Sequence, residues 1–86
     1  MHEFSLMAGL LKKINSVAIQ QKAKKVVGVS VRLGALSNIS ADHFREHFVE
    51  AAKNSIVEGA TLEIEESGDI SDPNAQDILV TEVEVV

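Results

Sequence analysis

Apolar residues recur at steps of three and four near the start of the chain, at Met7, Leu10, Leu11, Ile14, Val17 and Ala18. That spacing predicts an amphipathic helix over residues 4 to about 22, with the lysines and glutamines mostly on the far side. Glu3 stands where a negative charge suits the start of a helix dipole. The period then falls to two. In KVVGVSVRL, residues 25–33, Val27, Val29, Val31 and Leu33 alternate with Val26, Gly28, Ser30 and Arg32, the pattern of a half-buried strand. GALSNIS turns the chain, and a second helix follows from about 41 to 57. Ser40 is its candidate N-cap and Asp42 falls in its first turn. Phe44, Phe48, Ala51, Ala52 and Ser55 trace its apolar stripe, and Gly59 is the expected stop. TLEIEE, residues 61–66, points Leu62 and Ile64 inward. SGDISDPNAQ, residues 67–76, is dense in turn formers and holds the only proline. ILVTEVEVV, residues 78–86, reads as a last strand with Leu79, Val83 and Val85 on one face.

The order is helix, strand, helix, strand, strand. The strand–helix–strand part fits a crossover between parallel strands. The last two strands are placed for an antiparallel hairpin. Both helices then cover the apolar face of a three-stranded mixed sheet, giving a two-layer α+β fold in a single domain spanning residues 1–86. The other face of the sheet would carry Arg32 beside Glu63, Glu65, Glu82 and Glu84.

Charge narrows the choice of partner. The net charge is -5, which argues against nucleic acid. Lys12, Lys13, Lys22, Lys24 and Lys25 lie early, and every charged residue from Glu58 to Glu84 is acidic. These are either solvated faces that partly complement each other or a two-signed surface for a protein partner. No apolar run approaches the roughly 20 residues of a membrane span, and the start lacks a signal-peptide pattern. The expected location is the cytoplasm. Open sheet edges, the VEVV ending among them, make a homodimer an option.

Catalysis is poorly supplied. The chain has no Cys, Trp or Tyr. It has neither a phosphate-cradling glycine loop nor a nucleophile turn. Glu65 and Glu66 alternate across a strand and face opposite ways, so a non-enzyme is expected. Three histidines remain. His43 and His47, spaced i, i+4, share a helix face. That spacing can hold a metal, with Glu46 or Glu50 nearby, but the pair lacks a third strong ligand, so a structural or solvent-facing role is the expected one. His2 offers different chemistry. The Met1 amine, the His2 amide nitrogen and the His2 imidazole can close fused five- and six-membered chelate rings on one ion, with the Glu3 amide as a fourth donor. Such planar nitrogen sets suit Ni(II) or Cu(II) better than tetrahedral Zn(II). The helix dipole opposes a cation at that end.

The opening MHEFSL, then VRLGALSNIS, HFREHF, EGATLEIEE and DILVTEVEVV, together resemble the HypA/HybF family, the nickel-insertion accessory proteins of [NiFe]-hydrogenase maturation. The resemblance runs in order over nearly the whole chain. It implies a nickel site at Met1 (amine), His2 (amide and imidazole) and Glu3 (backbone amide, with the side chain shaping the site). It also implies delivery of Ni(II) to a nickel-enzyme precursor, with a maturation GTPase as partner. The family carries a zinc ribbon with two Cys-x-x-Cys pairs between its last two strands. Here only the short 67–76 loop stands in that place, so no structural zinc is expected. The alternative is a metal-independent protein-interaction module that kept the fold.

Overall fold

The computed structural model describes the backbone of residues 3–86 and side chains from residue 7 onward. Five elements follow in the expected order: α1 (Glu3–Gln20), β1 (Val26–Leu33), α2 (Ala41–Ala52), β2 (Thr61–Glu66) and β3 (Ile78–Val85). The sheet is mixed and three-stranded, and two helices pack on one face. Met7, Leu10, Ile14 and Ala18 of α1 meet Phe44, Phe48 and Ala52 of α2 over Val26, Val29, Val31, Leu33 and Leu62 in one buried cluster. No helix among the described residues is long and apolar enough to cross a membrane.

The strand order corrects one expectation. The last two strands do not form a hairpin. The order is β2-β1-β3, with β1 parallel to β2 and antiparallel to β3. Charge gives a physical reason. Ser30 of β1 lies between Glu63 on one side and Glu82 on the other. Direct β2–β3 pairing would set these acidic rows about 5 Å apart, where like charges destabilise a ladder. With β1 between them the separation is about twice the strand spacing of ~4.8 Å. The most apolar strand also gains cover on both edges.

Two bulges correct the facing of two residues. The pairing slips between Val26 and Gly28, so Val26 is fully buried while Val27 is exposed. A second slip, between Ser30 and Val31, leaves Thr81 as the extra residue of β3, its hydroxyl donating to the Ser30 carbonyl at 3.2 Å. Leu79 therefore lies opposite Arg32 on the outer side, and Ile78, Val80, Val83 and Val85 pack against the core. A bulge shifts the two-residue phase by one, which strict alternation cannot foresee.

Helix α2 stops at Ala52, short of residue 57. Ser55 Oγ donates to the Ala52 carbonyl at 2.7 Å and Asn54 enters the left-handed region at φ 64. Ser40 caps the other end, accepting from the His43 N–H at 3.1 Å. Gly59, at φ +80, belongs to the turn before β2 and not to the helix end. The close of α1 has the same logic. Ala23 N–H reaches the Ala18 carbonyl at 2.9 Å and Lys22 N–H the Ile19 carbonyl at 3.0 Å, with Lys22 at φ 55. That is a Schellman closure with lysine where glycine is favoured. Lys22→Gly should raise stability by about 0.5–1 kcal/mol, seen as a higher midpoint in thermal unfolding.

Residues 67–77 are ordered by their own side chains. Asp69 Oδ1 accepts from Ser71 N–H at 2.9 Å and Asp72 Oδ1 from Asn74 N–H at 2.8 Å, successive Asx turns. Ala75, buried, anchors the segment. Its carbonyl accepts from Leu36 N–H at 2.7 Å, while Gly34 N–H donates to Asp77 at 2.9 Å.

Candidate metal centre

Residues Met1 and His2 lie outside the described residues, and of Glu3 only the backbone is described. What is described is the frame behind them. Helix α1 is described from Glu3 onward.

The two helices run side by side in the same direction. Ala8, Leu11 and Asn15 of α1 line one open depression together with Ala51 and Ile56. Both helix starts thus share one end of the molecule. At that end the rings of His43 and His47 lean together, centroids 4.6 Å apart and planes 38° apart. His43 is exposed and His47 half-buried. The neighbouring acids divide. Glu50 accepts a 2.9 Å ion pair from Lys53, and this bond, followed by the Glu50 charge, holds the Lys53 ammonium above the ordinary lysine value. No group of three or more His, Cys, Asp or Glu side chains placed to hold a metal occurs among the described residues.

The outer sheet face matches the expected charge pattern with one refinement. Glu63, Glu65, Glu82 and Glu84 are exposed there. Arg32 reaches past them to the 67–77 segment, donating to Ser67 Oγ at 3.4 Å and standing 3.8 Å from Asp72 Oδ2. Sequence reading placed Arg32 among the glutamates. Its tie to the loop was not foreseen, because contacts over a gap of 35 residues leave no local pattern.

Comparison with known proteins gives consistent results. The family profile described as "Hydrogenase/urease nickel incorporation, metallochaperone, hypA" matches residues 1–70. That match ends inside the segment between β2 and β3. Hydrogenase maturation factor HypA of Nitrosospira multiformis is 38% identical over 65 residues, covering 76% of this chain and 56% of the relative. HypA of Archaeoglobus fulgidus is 38% identical over 64 residues, covering 74% of this chain and 58% of the relative. The chain thus spans little more than half the length of the curated relatives it matches. Among solved structures, the solution structure of the Ni metallochaperone HypA from Helicobacter pylori superposes with a TM-score of 0.82 at 18% identity. It covers 100% of this chain and 98% of that one. A second, titled "Solution structure of HypA protein", gives 0.76 at 21% identity, covering 100% of this chain and 97% of that one. At such identities the likeness speaks for the fold.

Proposed function

The chain belongs to the HypA family of hydrogenase and urease nickel-incorporation metallochaperones, and we propose that it carries Ni(II) on the donors of Met1, His2 and Glu3. The ion is cargo, bound and then passed to a nickel-enzyme precursor by ligand exchange. Nothing catalytic is required. The proposal extends to a GTPase partner and, through a sheet edge, a second copy of the chain. It also treats residues 1–86 as one domain in which residues 67–76 replace a zinc-bearing insertion. The sequence has no cysteine with which to build a thiolate zinc site.

The observation that carries the reading is the match of the nickel-incorporation family profile to residues 1–70, which takes in the Met-His-Glu opening. The donor set itself answers the dipole objection. An ion that binds two deprotonated amides, an amine and a neutral imidazole forms an assembly with no net charge, so the positive end of the helix no longer repels it. The same donors make release simple. Each must be deprotonated to bind, so falling pH dismantles the site.

The test is a Ni(II) titration of protein with an authentic, untagged Met1, beside His2→Ala, followed by absorbance and calorimetry. Tight binding should weaken by at least about tenfold in the variant, as expected when one arm of a chelate is lost. Binding at pH 8 should be lost by pH 5. Wild-type protein that took no nickel, or held it fully at pH 5, would overturn the reading. The first of those outcomes would favour the metal-independent interaction module.

A further inference from the structure

We propose that the outer edge of β3 pairs with the β3 of a second copy of this chain, antiparallel about a two-fold axis between Thr81 and Glu82. The ladder to β1 fixes which backbone groups of β3 remain for a partner. At one end Gly34 N–H donates to the Asp77 carbonyl at 2.9 Å, and at the other Val86 N–H donates to the Lys25 carbonyl at 3.0 Å. Facing alternates along an antiparallel strand. Counting inward from both ends, with Thr81 as the extra residue of the bulge, Leu79, Glu82 and Glu84 bond towards β1. Ile78, Val80, Val83 and Val85 turn their N–H and carbonyl groups outward. All four are half-buried aliphatic residues packed against the core. Their spacing is two, three and two residues, and the bulge supplies the three.

That spacing selects the partner. A regular strand offers bonding groups at every second residue, so it falls out of phase with this edge at the bulge. A second copy in antiparallel order carries the same spacing, because two, three, two reads alike in both directions. Val80 then bonds the partner's Val83 and Ile78 the partner's Val85, each pair occurring twice, as an isologous interface requires. Glu82 stands opposite the partner's Thr81 and Glu84 opposite the partner's Leu79, so no carboxylate directly faces another across the seam. On the helix side, Lys13 and Val17 of α1 line an open groove with Val80 and Val83, which the second copy would cover. The other edge of the sheet is closed to an incoming strand. Ser67 N–H donates to the Leu33 carbonyl at 2.9 Å, so alternation turns Leu62 outward. Arg45 of α2 already donates from Nη1 to the Leu62 carbonyl at 3.1 Å. The inference deepens the second-copy part of the proposed function. No metal enters it, so its failure would leave the nickel reading where it stands.

The test is the mass of the full chain in solution, by analytical ultracentrifugation across protein concentration, with variants that locate the contact. The monomer is 9.3 kDa, and we expect a species of twice that mass in equilibrium with it. The chain has no cysteine of its own. Leu79 and the partner's Glu84 form a non-hydrogen-bonded pair across the seam, with Cα atoms about 4.5 Å apart, within disulfide reach. Mixed Leu79→Cys and Glu84→Cys chains should therefore link under mild oxidation. Either variant alone should not, because the two equivalent positions lie about 17 Å apart along the seam, at ~3.4 Å per residue. Charge gives a second readout. Thr81→Glu sets like charges opposite the partner's Glu82 at two symmetric places and should weaken the dimer roughly tenfold, whereas Thr81→Lys should tighten it by a similar factor. The same two substitutions at Thr61, on β2, should change it by less than about twofold. A 9.3 kDa particle at every concentration would overturn the proposal. So would a dimer whose mixed cysteine chains link no better than either alone, or one that responds at Thr61 and not at Thr81.

Discussion

Phe44→Ala should cost about 3–5 kcal/mol of stability, the range for emptying a fully enclosed aromatic site. The residue is 0% exposed and its ring lies 6.1 Å from that of Phe48, with 29° between the planes. Loss of the ring would remove that aromatic contact and also leave a void facing β1 and α1. The effect is large relative to the whole. A domain of this size is held by roughly 4–13 kcal/mol, at 0.05–0.15 kcal/mol per residue. The midpoint of thermal unfolding should fall by roughly 15–30 °C. Val49, on the same helix and 54% exposed, is the control. Val49→Ala should stay within about 0.5 kcal/mol of the parent. A drop of only a few degrees in Phe44→Ala would mean that the helix packs on the sheet less closely than its burial indicates.

The two aromatic residues also show what could be read from the chain. Phe44 and Phe48 announced the buried face of α2 through spacing alone, as did Met7, Leu10, Ile14 and Ala18 for α1, because a helix's periodicity is set within a few residues. Ser40 announced its cap for the same reason. Strand pairing is a different kind of fact. Whether β3 joins β2 or β1 depends on cross-strand charge and on which strand most needs two neighbours. Neither shows in the ILVTEVEVV stretch itself. The bulges at Val26–Gly28 and at Thr81 are likewise set between strands, so Val27 and Leu79 were assigned to the wrong face. The candidate site divides along the same line. The Met-His-Glu donors are contiguous, so their chemistry is proposed from the sequence alone, and they lie outside the described side chains. The i, i+4 spacing of His43 and His47 was legible as well. The closeness of their rings and the Glu50–Lys53 ion pair are matters of conformation that spacing leaves open.

Gly34→Ala should be the second costly substitution, at about 3 kcal/mol, the upper range for forcing atoms into a filled space. The cause is contact and not backbone angle, since Gly34 has no positive φ. A Cβ there would press on the carbonyl groups of Ala75 and Asn74. Backbone of this kind cannot swing aside like the tip of a side chain. Its retreat would break the bonds from Gly34 N–H to Asp77 and from Leu36 N–H to Ala75, which tie the 67–77 segment to the sheet. Other glycines supply the contrast. An added Cβ at Gly9 or Gly68 meets nothing within 4 Å, and Gly9 lies inside α1. Gly9→Ala should therefore stabilise by about 0.5–1 kcal/mol, and Gly68→Ala should change little. Chemical denaturation of the three variants measures all of this.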